Sequence, residues 1–169
     1  MANEKEQLQS AMKEAMRRLA GSVCVVSTRS GETKHAMSAT AVTSLSMDPP
    51  SLLVCVNRAV PFHDAMSSAD QFCINILNAE QSELSAACGG KLQGDERFKV
   101  GHWGASADGV PYLEDGLASL LCDKDGQFDY GTHTIFIGKV NEIRVAETVN
   151  PLLYVNGSYA TTSPLDAVA

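Results

Sequence analysis

The sequence predicts a mainly β protein, an antiparallel barrel or sandwich with a few flanking helices. Three observations carry that prediction. About six or seven short runs rich in Val, Ile, Thr and Phe succeed one another along the chain. Most are separated by turn signals, so no regular βαβ alternation arises. No Gly-x-Gly-x-x-Gly follows a strand and no Walker-type phosphate loop occurs, which removes the two common nucleotide-binding α/β designs.

The elements follow in order. Residues 5–19 carry Leu8, Met12, Ala15, Met16 and Leu19 on one face and Lys and Glu on the other, the spacing of an amphipathic helix. Its mixed charge and lack of aromatics favour packing on the protein's own core over a membrane surface. Ser22–Thr28 is β-branched and apolar, Ser30-Gly31 signals a hairpin turn, and His35–Ser46 is a slim, hydroxyl-rich strand. Asp48-Pro49-Pro50 interrupts any ladder, because proline cannot donate a hydrogen bond. Ser51–Asn57 and Phe72–Leu77 read as buried strands, with a short helix over Pro61–Ser68 between them. Asn78 with Gln81 has capping-box form, so Asn78–Cys88 reads as helix. The Gly-rich, charged stretch 89–109 is a surface excursion around Trp103. Leu117–Cys122 and Thr132–Val145 are strands joined by a polar loop, and Leu152–Val155 is a final strand before a tail.

With 169 residues, 44% of them hydrophobic and 20% charged, the chain suits one globular domain over 1–169, with an N-terminal helix, a barrel over about 22–160 and a short tail. A net charge of −7 gives no counterion-release drive toward nucleic acid. No stretch approaches the roughly 20 apolar residues of a spanning helix, and the polar, acidic start is unlike a secretory leader. Cys24, Cys55, Cys73, Cys88 and Cys122 are odd in number and lack a Cys-x-x-Cys pair, as expected of free thiols in a reducing cytoplasm.

Candidate chemistry is sparse. Ser38, Thr40, Val42, Ser44 and Ser46 share one face if their segment is a continuous strand. Short side chains there admit a flat ligand close to the backbone; a solvated edge strand has the same composition, and both readings stand. His35, His63, His102 and His133 have no metal-ligand spacing. His133, in Gly131-Thr-His-Thr134, lies where a polar loop enters a strand. Arg97, in Glu96-Arg-Phe98, has the chemistry of a phosphate clamp and equally that of a surface arginine. No Gly-x-Ser-x-Gly supports serine-hydrolase chemistry.

In combination and order, these segments resemble the short-chain flavin reductase family of FMN-binding split barrels, whose members serve as reductase components of two-component aromatic monooxygenases. The resemblance runs from about residue 10 to 160. It rests on Met16–Thr28, on His35-Ala-Met-Ser-Ala-Thr-Ala-Val-Thr-Ser-Leu-Ser-Met-Asp-Pro-Pro50 and on Leu53-Val-Cys-Val-Asn-Arg58. It continues through Phe72–Leu77, Glu96-Arg-Phe98 with Trp103, Gly131-Thr-His133, and Pro151-Leu-Leu-Tyr154 with Tyr159. It implies an antiparallel, Greek-key split barrel that forms a homodimer, with FAD or FMN near the dimer interface and NADH (or NADPH) as hydride donor. Ser38, Ala39, Thr40, Ala41 and Ser44, together with Cys55, Val56 and Asn57, would hold the flavin ring and ribityl chain. Arg97 would lie near the phosphate, His133 beside the flavin and the nicotinamide, and Tyr159 in the same neighbourhood.

Two departures from the family pattern stand out. The loop after Arg58 reads Ala59-Val-Pro-Phe62, without the serine or threonine that would bond a phosphate. Gly131-Thr-His133 replaces the usual Gly-Asp-His and drops its carboxylate. The implied function is an NAD(P)H:flavin oxidoreductase feeding reduced flavin to a separate monooxygenase. The alternatives are a non-catalytic flavin-binding module on the same barrel and a pyridoxamine-phosphate-oxidase type of barrel, which would want a more basic phosphate site.

Overall fold

A computed structural model describes residues 3–165. Helix α1 (Glu4–Met16) leads into β1 (Gly21–Ser22), β2 (Cys24–Ser30), β3 (Thr33–Ala39), β4 (Val42–Met47) and β5 (Pro50–Asn57). Then come α2 (Phe62–Ser68), β6 (Gln71–Ile76), α3 (Ser82–Ala86), a π-turn (Ala87–Lys91) and a 3₁₀ helix (Gly94–Lys99). The chain continues through β7 (Trp103–Ala105), β8 (Pro111–Leu113), β9 (Ala118–Tyr130) and β10 (His133–Val145), then β11 (Leu153–Val155) and β12 (Ser158–Ala160). All strand pairings are antiparallel.

Seven strands form the main sheet in the order β3-β2-β6-β9-β10-β5-β4, so its two edges are consecutive in the chain. Only Thr40 and Ala41 lie between them. Three Cα–Cα steps cover at most about 11 Å. A flat seven-stranded sheet would be about 29 Å wide. The sheet must therefore curl until its edges meet at one corner, leaving a seam between β3 and β4. The mainly β, antiparallel expectation holds.

The expected continuous strand from His35 to Ser46 does not form. The chain bends at Thr40–Ala41, which places Ser38 and Ala39 on one sheet edge and Ser44 on the other. A further register shift between Ser44 and Ser46 breaks the alternation. The five aligned positions thus share no single face.

The curled sheet wraps one apolar cluster, in which Val26, Val54, Phe72, Ile74, Phe136 and Met66 of α2 are fully buried. Strand β2 is covered on both faces: Val23 and Val25 point the opposite way, onto Leu77, Leu84 and Leu113. Cores with two covered faces read as continuous apolar runs, which is why Ser22–Thr28 and Phe72–Leu77 were legible as strands.

A buried carboxamide locks the second layer. Asn75, with no exposed surface, donates from Nδ2 to Val25 O and Ser27 Oγ, both at 2.9 Å. Its Oδ1 accepts Leu113 N at 2.7 Å and Ser119 Oγ at 3.0 Å. One side chain thereby joins β2, β6, β8 and β9.

Other expectations need correction. The polar stretch after Cys122 is not a loop: β9 runs on to Tyr130 and pairs with β10 as far as His133. The far half of this hairpin is solvated, so its side chains are polar without ending the strand. Asn78 and Gln81 form a local turn, with Asn78 N on Gln81 Oε1 at 3.0 Å, and α3 starts only at Ser82. Pro50 does not end the ladder but opens β5. The presumed tail holds β12, paired with β11 through the Asn156-Gly157 turn, where both residues have positive φ. Helix α1 buries none of its residues on this chain: Leu8 is 72% and Met12 58% exposed.

Asn75→Ala is expected to lower stability by about 3–5 kcal/mol, because Leu113 N, Ser27 and Ser119 lose a partner in a dry interior. A fall in the urea midpoint with an unchanged m-value would be the matching result; a midpoint within error of the parent would remove Asn75 as a lock.

Candidate functional site

Beside the seam, two cavities share a saddle made of Ser38 and Gly89. The larger, about 550 Å³, lies between β3, the β5–α2 loop and the π-turn, and is lined by His35, Ser38, Val60, Gly89, Gly90 and Arg97. The smaller, about 310 Å³, lies between Ser38–Thr40, Ser85 and the tyrosines Tyr154 and Tyr159.

Gly90 adopts a φ of 118°, closed to ordinary side chains, and a Cβ there would meet nothing within 4 Å. The bare backbone of the Gly89-Gly90 turn thus faces open space, where an oxygen-rich ligand can approach it closely. Across the cavity, Arg97 is only partly committed. Its Nε donates to Leu92 O at 2.9 Å and its Nη1 to Ala36 O at 2.6 Å. Among the described residues Nη2 has no partner, so both of its N–H groups are left for an anion. Arg97 thus ties the 3₁₀ helix to β3 and offers charge at the rim. Burial, then Arg97, hold the His35 imidazole below its ordinary pKa.

Ser85, buried in α3, joins the walls of the smaller cavity. Ser38 Oγ donates to Ser85 O at 2.7 Å, and Tyr159 Oη donates to Ser85 Oγ at 2.9 Å. The Ser38 hydroxyl proton is therefore occupied, and toward a ligand its oxygen acts as an acceptor. Tyr159 packs edge-on against Tyr154, with centroids 5.6 Å apart.

A second group lies on β5 and β10. Asn57 is opposite His133, Val56 opposite Thr134 and Cys55 opposite Ile135. Cys55 N donates to Ala41 O at 3.0 Å, which brings the bend to β5. Asn57 Oδ1 accepts Ala59 N at 2.9 Å and shapes the following turn. His133 is exposed at the start of β10, with Nδ1 2.9 Å from Thr132 Oγ1.

The predicted residues thus fall into sets. Ser38, Ala39, Thr40, Arg97 and Tyr159 surround the paired cavities. Ala41, Cys55, Asn57 and His133 lie along β5 and its neighbours. Val56 is sealed in the core, and Ser44 is exposed on β4. Sequence reasoning missed Ser85 and the Gly89-Gly90 turn. The glycine pair was the available signal, but it read only as a loop; Ser85 gave none.

A third cavity, about 590 Å³, lies away from these groups between Arg29, Asp70, Asp108 and Lys124. Its cations serve the fold. Arg29 reaches Glu32 and Asp108 O, and Lys124 Nζ caps the end of α2 on Met66 O and Ser67 O.

Comparison with known proteins decides the family. The description "Flavin reductase like domain" matches residues 16–163. The chain belongs to the flavin reductase family. It is 42% identical to the reductase component of an FADH(2)-dependent resorcinol hydroxylase from Rhizobium sp. strain MTP-10005, over 88% of this chain and 84% of that protein. It is 38% identical to an FMN reductase (NADH), RutF, of Agrobacterium fabrum strain C58, over 91% and 88% of the two chains. The solved flavin reductase domain protein of Arthrobacter sp. FB24 superposes with a TM-score of 0.88 at 26% identity, covering 95% and 99%. The expectations of a flavin reductase fold, a flavin and NADH agree with what these relatives are named for. The site fits the group such an enzyme uses: bare glycine backbone, a free guanidinium donor and a hydroxyl acceptor edge a cavity large enough for a flat polar ring.

The thiols of this flavin reductase do no evident chemistry. Burial pushes Cys24 up to about 12, Cys88 to about 11 and Cys122 to about 12, and raises Cys73 still further. Native protein treated with iodoacetamide near neutral pH should be labelled at the half-buried Cys55 first. Mass spectrometry finding early labelling of Cys73 or Cys122 would contradict this burial.

Proposed function

We propose that this protein is an NAD(P)H-dependent flavin reductase that transfers hydride from NADH or NADPH to FAD or FMN. The reduced flavin then reaches a separate flavin-dependent monooxygenase by diffusion. The observation that carries the proposal is the two-lobed trough over Ser38 and Gly89, in a chain of this family. Flavin, when bound, supplies the electron-accepting ring. The chain supplies binding and orientation, which suits a site with no acid–base dyad. Ser38 would serve as an acceptor for the ring's polar edge, the Gly89-Gly90 backbone would allow close approach, and Arg97 Nη2 would serve as a donor for the phosphate. Slim Ser38 and Ala39 keep the trough wall low. His133, exposed and with Nδ1 turned to Thr132, has Nε2 without a partner among the described residues and would be the group that meets the nicotinamide.

The proposal includes a homodimer of single-domain chains in the cytoplasm. Free thiols, four of the five buried, suit a reducing compartment. For the dimer, α1 carries an apolar stripe that its own chain leaves open. Met16 and Leu19 extend this stripe to a cavity of about 410 Å³ shared with Thr40 and Tyr154, next to the trough. Covering four such side chains would contribute about 1.5–3 kcal/mol each, and a second copy placed there would also complete the rim of the site.

The activity test mixes purified protein, NADH and either FMN or FAD, and follows NADH loss. Turnover is expected. Flavin bound with no NADH consumed would leave a binding module. His133→Ala should raise KM for NADH with little change in kcat; unchanged NADH parameters would remove His133 from the site. Sedimentation should find a dimer for the parent chain and a monomer for Met12→Glu, and a variant that stays dimeric would put the interface elsewhere.

A further inference from the structure

A side-chain relay runs from the buried residue next to His133 out to the surface. Thr134, fully buried, holds Oγ1 2.6 Å from Asp129 Oδ1 and 2.8 Å from His63 Nε2. The other carboxylate oxygen of Asp129 faces Arg58 Nη1 at 3.4 Å. Four segments meet in this chain of contacts: α2, the loop after β5, β9 and β10.

The proton positions follow from the inventory of donors. The Asp129 carboxyl is held below its ordinary range, first by the Thr134 hydrogen bond, so it is ionised and can only accept. Thr134 therefore donates its hydroxyl proton to Asp129. Its oxygen is left to accept, and among the described residues the side-chain proton within reach is Nε2–H of His63. The relay thus fixes both the hydroxyl rotor and the His63 tautomer. His63 in turn leans on the buried ring of Phe136, with centroids 5.8 Å apart.

The relay encloses the turn that carries His133. Arg58, held by Asp129, donates its backbone N–H to Thr132 O at 2.9 Å. Thr132 Oγ1 meets His133 Nδ1, also at 2.9 Å. Any shift of Arg58 or of the β9–β10 register is therefore passed to the His133 imidazole.

We infer that Thr134, bridging His63 and Asp129, is a positioning residue that sets where the His133 imidazole stands over the site. The inference rests on the reading that His133 meets the nicotinamide. It assigns Thr134 and Asp129 no contact with substrate.

The test uses the full-length protein with NADH and FMN. Thr134→Val keeps the side-chain shape and removes the hydroxyl. It is expected to raise KM for NADH about tenfold while kcat changes less than about twofold. Thr134→Ser should restore the parent value. Asp129→Ala, at a mostly exposed position, should raise KM in the same direction. Imidazole ¹⁵N spectra should show His63 protonated at Nε2 in the parent chain and should lose that preference in Thr134→Val. A Thr134→Val protein with parental KM, alongside a His133→Ala protein whose KM is raised, would overturn the positioning role. If His133→Ala also leaves KM unmoved, the nicotinamide reading is what fails, and the inference falls with it. A spectrum with His63 protonated only at Nδ1 would refute the relay itself.

Discussion

Two residues, Thr40 and Ala41, connect the opposite edges of a seven-stranded sheet. Most of what matters in the molecule follows from that short tether. It forces the sheet to curl, encloses Phe72, Phe136 and Met66, and leaves a seam where two edge strands lie near one another unpaired. An unpaired edge is a hazard for aggregation; here it is also an opening. The β3 side of the seam is covered by α3, the π-turn and the C-terminal hairpin, and the trough forms beneath them. The bend that closes the barrel and the cleft beside it thus have one cause.

The trough is held open by hydrogen bonds, most of them to backbone carbonyls, and these bonds determine which ligand groups it can receive. Ser85 takes the protons of Ser38 and Tyr159, so both walls are fixed and Ser38 is left as an acceptor. Arg97 spends two of its nitrogens on carbonyls. Such preorganisation costs binding partners but removes the need to order the walls when a ligand arrives. A flavin reductase gains from this economy, because the protein's contribution is geometry and the electron chemistry belongs to the ring.

Much of the architecture was legible in the sequence, and the failures have specific physical reasons. Strands buried on both faces, such as Ser22–Thr28, are continuous apolar runs and were found. Strand β9 was cut short at Cys122 because its outer half lies in water, where polar side chains cost nothing. The run from Ser38 to Ser46 looked continuous because a two-residue bend made of Thr and Ala has no glycine or proline to announce it. Helix α1 was found, but its apolar face was assigned to its own core, since periodicity reports that a face is covered and not by what. Around the trough, Arg97, Ser38 and Tyr159 are residues the sequence singles out, whereas Ser85 meets Ser38 and Tyr159 from far along the chain and leaves no local signal.

The smaller sheet draws on both halves of the chain, with Gly21–Ser22 paired to Leu153–Tyr154 and then to β12. On a ribosome, β1 emerges early and must wait for its neighbour until β11 has been made. Tyr159 follows β11 in the chain and reaches Ser85 only then, so until that point the second lobe of the trough has one wall missing. The second lobe of the trough is thus complete only when all three strands of this small sheet have come together.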